Sequence, residues 1–174
     1  MERSFVMLKP DALKRGLADK IIKRFTDAGL SITAQKKMTA SQEIVEQHYP
    51  IDDEDYVIGL GHKDTSNLSE TEKTEIYDKN MFIIKAMHKF MRSGPVIAMI
   101  IEGPKGTIKK IREIVGKTNP PEAAPGTIRG DFGEDSYEQA DKEGRSVHNL
   151  VHASGTSAEA EREIKLWFPE LAQK

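Results

Sequence analysis

The sequence predicts an α+β fold, a four-stranded antiparallel sheet carrying helices, and three observations lead there. Four short segments have strand character: Ser4–Leu8, Leu30–Met38, Val96–Ile101 and His148–His152. Segments with apolar residues at helical spacing lie between them, and Gly or Pro closes most of these. At 174 residues the chain suits one domain with a real core, so these elements belong to one body.

Ser4 to Leu8 is apolar on both faces, as in a central strand. Pro10 stops it and leaves Lys9 at its carboxyl end, where sheet proteins often hold ligands. Leu17, Ile21, Phe25 and Ala28 recur at helical spacing, and Gly29 is a C-terminal cap. Leu30–Met38 is mixed in polarity and reads as an outer strand. Ser41 caps a helix reaching Tyr49, which Pro50 ends. Residues 51–80 are polar and acidic, with Val57–Leu60 as their apolar patch. Within them Ser69 and Glu72 stand at capping-box spacing and predict a short helix over 70–79. A separate helix is expected over Phe82–Arg92, with Ile83, Met87, Phe90 and Met91 on one side, before Ser93-Gly94-Pro95. Val96–Ile101 is a buried strand, and Ile108, Ile111 and Val115 mark a helix closed by Gly116. Lys117–Glu143 reads as a long loop rich in Pro and Gly, of a length that compact domains keep for function.

The last stretch organises the rest. His148 to His152 alternates polar and apolar, Ser154-Gly155 breaks the strand, and Thr156 with Glu159 starts a helix near Ala158. Ala160, Ile164, Trp167 and Phe168 form its apolar stripe, with Glu163 at the edge. The short loop lets that carboxylate fold back toward His152. A histidine nucleophile needs this arrangement, with one ring nitrogen oriented and the other free. A satisfied core histidine beside a snorkelling glutamate would leave the same pattern. Discounting one extra helix, the order is βαββαβ with additions. That is the ferredoxin-like plan, with helices expected on one face of the sheet, and it hosts many functions.

Composition narrows the chemistry. Cys is absent, which removes disulfides, thiolate zinc sites and Cys nucleophiles. No apolar run approaches the ~20 residues of a membrane span. Met1-Glu2-Arg3-Ser4 runs straight into a strand, so no signal peptide is expected and the default is a soluble cytoplasmic protein. The net charge of −2 hides an asymmetry: residues 51–80 hold nine acids and three bases, and 134–145 hold five and two. The remaining chain carries 21 Lys and Arg against 14 Asp and Glu, a basic body suited to a polyanion. Aromatics do not interleave the basic segments, so single-stranded nucleic acid is not the first expectation. No Walker A pattern occurs, and Pro104 spoils the Gly103–Thr107 echo, so phosphate binding must use side chains.

Thr118-Asn119-Pro120, then Pro125-Gly126-Thr127-Ile128-Arg129-Gly130-Asp131-Phe132, and N-L-V-H-A-S at 149–154 strongly resemble the nucleoside diphosphate kinase family. F-V-M-L-K-P-D at 5–11, R-G-L at 15–17, H-Y at 48–49, S-G-P-V at 93–96 and E-x-E-I-x-L-W-F at 161–168 agree in order. So many matched blocks are far more specific than one short motif. The resemblance implies transfer of the γ-phosphate of a nucleoside triphosphate to a nucleoside diphosphate, by a ping-pong route through a phosphohistidine with Mg²⁺ on the nucleotide. It places His152 as nucleophile, Glu163 as the carboxylate orienting its ring and Ser154 as the hydroxyl beside it. Lys9, Tyr49, Arg112, Thr118, Arg129 and Asn149 fall on nucleotide-binding positions, Lys9 also beside the chemistry, and Gly130 lies in the same turn as Arg129. Two arginine forks and a lysine would neutralise phosphate charge. His48, His62, His88 and His148 match no catalytic position and read as structural or exposed.

Three departures accompany the match. The family's base-stacking phenylalanine falls on Ile83, with Phe82 one residue earlier, so either could cover the base. Within a single domain spanning 1–174, insertions are expected at 51–80 and 134–145, the first in the hairpin that clamps nucleotide in the family, the second in a loop that packs subunits. The family is usually hexameric, with some tetramers, so a homo-oligomer is expected, a hexamer ahead of a tetramer or dimer. Its implied partners are nucleoside di- and triphosphates, with no membrane and no need of nucleic acid.

Overall fold

β1 (Glu2–Leu8) occupies the middle of the sheet because both its faces are apolar; Phe5, Val6, Met7 and Leu8 are all fully buried. The structure is a computed structural model describing residues 1–61 and 64–171, so His62 lies outside the described residues. After β1 come α1 (Pro10–Lys14), α2 (Ala18–Asp27), β2 (Ser31–Met38), α3 (Gln42–His48), α4 (Glu54–Gly59) and α5 (Glu70–Met91). β3 (Val96–Gly103), α6 (Thr107–Val115), α7 (Ile128–Phe132), α8 (Tyr137–Lys142), β4 (Val151–Ala153) and α9 (Ser157–Trp167) follow. Among the described residues the sheet runs β2-β3-β1-β4, every pairing antiparallel. This is the strand order of the ferredoxin-like plan, and β2 is an outer strand as its mixed polarity predicts.

Helices cover both faces, and not one. Val6 and Leu8 pack with Ile21 and Phe25 of α2 and Ile111 and Val115 of α6. Phe5 and Met7 point the other way, to Val45 of α3, Val57 of α4, Ile84 of α5 and Ile164 and Trp167 of α9. The second cover comes from the β2–β3 connection and the C-terminal helix, both outside the basic plan. A central strand with period-2 side chains that are apolar on both sides requires that cover.

Two local differences have physical causes. The separate helices expected over 70–79 and 82–92 are one, α5, begun by a complete capping box between Ser69 and Glu72. No Gly or Pro interrupts residues 70–91, so nothing breaks the hydrogen-bond ladder. The stretch read as a loop over 117–143 contains α7 and α8, short helices capped by Thr127 and Ser136. The apolar patch of 57–60 docks on the body: Val57 is fully buried, and Asn80 Nδ2 donates to the Val57 and Leu60 carbonyls at 2.8 and 3.0 Å.

Candidate active site

The last strand is shorter than its sequence pattern, and the reason shapes the site. His148–Leu150 lies outside β4 because Leu150 has φ +70°, a conformation that L side chains rarely adopt. Val151 N donates to Asn149 O at 2.8 Å, closing a γ-turn around Leu150. The strain persists because neighbours hold both sides of the turn. Lys9 N donates to Leu150 O at 2.8 Å, and Leu150 N donates to Asp11 Oδ2 at 3.0 Å. Arg129 Nε donates to Asn149 O at 3.0 Å, and its terminal nitrogens donate to Gly116 O and Val151 O. Sequence reasoning assigned Lys9 from the K-P-D block and passed over Asp11, two residues on.

β4 then pairs with β1, Met7 opposite His152, so the histidine stands beside the carboxyl end of the central strand. α9 begins at its Thr156 cap and turns back, bringing Glu163 under the ring. Glu163 Oε1 lies 2.9 Å from His152 Nε2, and Ser154 Oγ donates to Glu163 Oε2 at 2.6 Å. Since a carboxylate accepts, Nε2 carries the ring proton and Nδ1 keeps its lone pair. The His152 side chain is 15% exposed and Glu163 1%, so the acceptor is buried and the ring reachable. Burial first, then the Lys9 charge, holds His152 well below its ordinary range, so it is neutral at pH 7. Burial likewise raises Glu163 above its ordinary value, opposed by the hydrogen bond from Ser154.

His48 completes this cluster, although no functional position was expected for it. Its ring centroid is 4.6 Å from that of His152, edge to face, and it is 1% exposed. Trp167 Nε1 donates to His48 Nδ1 at 3.2 Å, so the neutral ring carries its proton on Nε2. Its 3.7 Å approach to Glu163 is therefore not an ion pair; burial and the neighbouring His152 lower its pKa well below the ordinary value. Its adjacency to Tyr49 in the H-Y block was the available signal. His88 Nε2 meets Tyr49 O at 2.7 Å, and His148 stacks on Phe90, both structural as expected.

The cationic side of the site draws on the end of β1, the loops at Thr118 and Asn149, and helices α6 and α7. Lys9 Nζ donates to Asn149 Oδ1 at 2.8 Å, and Asn149 Nδ2 donates to Thr118 O at 2.9 Å. Lys9, only 8% exposed, is pushed down to about 8 by burial and by Arg129. Arg129 is pushed down to about 10, again by burial. Gly130 lets α7 turn tightly behind it, since a Cβ there would collide with the Ala124 carbonyl oxygen. Arg112 is exposed on α6, a guanidinium nitrogen beside Gly155, with no hydrogen-bond partner among the described residues. Tyr49 is buried with its ring 6.2 Å from that of His152. His152, Glu163, Ser154, Lys9, Asn149, Thr118, Arg129, Arg112 and Tyr49 are thus gathered around the end of β1. Phe82 and Ile83 stand apart on α5, Phe82 56% exposed and Ile83 half-buried.

The arrangement offers an unprotonated ring nitrogen, a buried carboxylate to bear the charge the ring gains, and cations for a polyanion. A cleft of about 750 Å³ also opens along α6, lined by Arg112, Lys117, Thr127 and Gly155; His152 does not line it, so chemistry and not volume locates the centre. His48, His152 and Glu163 together could in geometry hold a metal ion, but Trp167 and the His152–Glu163 bond already use three of their ligand atoms.

The family model described as nucleoside diphosphate kinase matches residues 2–57 and 62–172. A nucleoside diphosphate kinase of Pyrobaculum aerophilum is 40% identical over 98% of this chain and 96% of its own length. One from Archaeoglobus fulgidus is 42% identical over 98% of this chain and 88% of its own length. The crystal structure of an NDP kinase from P. aerophilum superposes with a TM-score of 0.83 at 40% identity, covering 96% of this chain and 95% of that one. A Borrelia burgdorferi nucleoside-diphosphate kinase with bound vanadate and ADP, a transition-state mimic, gives 0.78 at 31% identity, covering 96% and 86%.

Proposed function

Because the chain belongs to the nucleoside diphosphate kinase family, we propose that it transfers the γ-phosphate of a nucleoside triphosphate to a nucleoside diphosphate through phospho-His152. The observation that carries this is the His152–Glu163 bond at 2.9 Å through Nε2, which leaves Nδ1 free beside the cations of Lys9, Arg112 and Arg129. Nδ1 attacks the γ-phosphorus, an N–P bond forms, and the P–O bond to the leaving diphosphate breaks. As the ring becomes cationic, Glu163 stabilises it, and Ser154 fixes Glu163. A terminal oxygen of the second diphosphate then takes the phosphoryl group and returns the ring to its neutral state. Phosphohistidine is energy-rich, so the transfer runs in either direction.

Lys9, Arg112, Arg129 and the Thr118 hydroxyl neutralise and orient phosphate oxygens, Asn149 meets a ribose hydroxyl, and Tyr49 completes the nucleotide-binding positions. The exposed ring of Phe82 supports it over half-buried Ile83 as the surface on which the base stacks. Mg²⁺ fits as part of the nucleotide. Of the carboxylates near His152, Glu163 is held by the His152 ring and Ser154, and Asp11 keeps only Oδ1 free because Oδ2 accepts from Leu150 N, so the phosphates would supply most of its ligands. We read the chain as one family domain with insertions at 51–80 and 134–145. It works in the cytoplasm as a homo-oligomer, a hexamer ahead of a tetramer or dimer. Among the described residues no helix is long and apolar enough to cross a membrane.

The test is incubation with γ-labelled ATP and Mg²⁺, then a chase with unlabelled diphosphate. Acid-labile, base-stable label should appear on the protein and leave with the chase. His152→Ala should abolish labelling while ADP still binds; label persisting in that variant would sink the assignment.

A further inference from the structure

α5 carries a stripe that the described residues leave uncovered. Glu75, Asp78, Phe82, Lys85, Lys89 and Arg92, the last as its C-terminal cap, recur at intervals of three and four. That spacing puts all of them on one face of the helix. Each is exposed, while Asn80, Ile84 and Met91 on the opposite face are buried. Among the described residues the helix holds one ion pair, Lys73 to Glu70 at 2.8 Å, and it lies off this stripe. A merely solvated face mixes its signs. Here the acids occupy the N-terminal half, within the insertion at 51–80, and the bases the C-terminal half.

The order is also symmetric. Glu75 and Arg92, Asp78 and Lys89, and Phe82 and Lys85 are each equidistant from the point between Ile83 and Ile84. A second α5 laid antiparallel about a two-fold axis through that point sets every acid of the stripe against a base. A parallel arrangement would set like charges together, which is repulsive. The basic half is also recessed: Lys85, Lys89 and Arg92 line a cleft of about 400 Å³ with His88 and with Gln42 and Glu46 of α3. Glu46 accepts from Gln42 Nε2 at 2.6 Å and makes no ion pair with these bases among the described residues. The cleft therefore presents positive charge to an incoming acidic helix.

We propose that α5 pairs antiparallel with α5 of a second copy of this chain, Glu75 against Arg92 and Asp78 against Lys89 on either side of a two-fold axis. The pairs are exposed and individually weak, so the contact is salt-sensitive. Phe82 and Lys85 stand beside the axis. Phe82 is also the ring read above for the base, and the outer ion pairs carry the contact without it. The contact is independent of the phosphotransfer reading, and it gives the acidic insertion a use away from the polyphosphate.

The experiment measures mass by static light scattering on the whole protein as its concentration rises, in about 20 mM and about 300 mM salt, where screening shortens from roughly 20 Å to roughly 6 Å. Wild type should gain mass with concentration at low salt and not at high salt. Two variants make the stripe single-signed: Glu75→Lys with Asp78→Lys, and Lys89→Glu with Arg92→Glu. Each alone should associate about tenfold more weakly at low salt. An equimolar mixture of the two should recover the wild-type association, and so should one chain carrying all four exchanges. All should share one mass at high salt, that of the homo-oligomer read above, so loss of that assembly is a separate result. Wild type that gains no mass at low salt overturns the proposal. So does association that survives in either single-signed variant, or a mixture that fails to recover it. Should a single-signed variant fold poorly, the four-exchange chain, with the net charge of wild type, decides: recovery supports the pairing and its absence overturns it.

Discussion

Glu163→Gln separates the charge beneath His152 from the shape around it. The amide can turn its oxygen to His152 Nε2–H and its nitrogen toward Ser154, whose hydroxyl can donate to Phe5 O, already 3.2 Å away. Every contact survives and only the charge is lost. Charge-assisted bonds are worth about twice neutral ones, so the cationic ring of the transition state should lose roughly 1–1.5 kcal/mol, about a tenfold slower labelling of His152. Stability should move the other way. Burial raises the folded pKa of Glu163 above its unfolded value, so its ionised form costs stability at pH 7. That cost is absent below the unfolded pKa and grows as pH rises through the folded one, and Gln removes it. Rapid-quench labelling and urea denaturation on the same preparation test both halves. An unchanged labelling rate, or a slower one accompanied by a lower denaturation midpoint, would refute the reasoning.

Asp11→Ala strands the Leu150 amide and should cost ~1–3 kcal/mol in urea denaturation while slowing labelling, because the turn before His152 loosens; full labelling with a loosened fold would show the turn is not needed for chemistry. Arg112→Ala and Arg129→Ala should each lose ~2–3 kcal/mol of transition-state stabilisation in steady-state kinetics. Only Arg129→Ala should also lower the denaturation midpoint, since Arg129 alone binds three backbone carbonyls; equal midpoints would count against that. His48 and His152 have folded pKa values below their unfolded ones, so the unfolded chain takes up protons first as pH falls. Stability should therefore drop from about pH 6.5 downward by up to ~1.4 kcal/mol per pH unit for each. A flat urea midpoint between pH 7 and 5.5 would contradict this.

How much could be read from the sequence differed between elements. The strands declared themselves through apolar runs, and capping-box spacings at Ser69 and Thr156 marked two helix starts correctly, although only Ser69 forms the complete box. The His152–Glu163 pairing was legible because a short break between strand and helix restricts where the helix can go. The left-handed Leu150 was not, because Leu has no preference for that conformation and only Asp11, Lys9 and Arg129, distant in sequence, impose it. His48 was likewise illegible: its place behind His152 depends on α3, α9 and β1 meeting, a tertiary event with no local mark. Arg129 read as a phosphate ligand, yet its Nε and both terminal nitrogens donate to backbone carbonyls, and a residue name cannot reveal that.

Leu150 is caught between two requirements that no single residue meets. Its side chain is fully buried among Leu8, Ile128 and Val151, while its backbone favours Gly or Asn. Gly would relax the backbone and hollow the core; Asn would accept the backbone and bury an amide; Val or Ile would fit the core and worsen the backbone. The position is a point of local frustration, placed two residues before the nucleophile. Repacking the core at this position therefore cannot be separated from moving the turn that leads into His152.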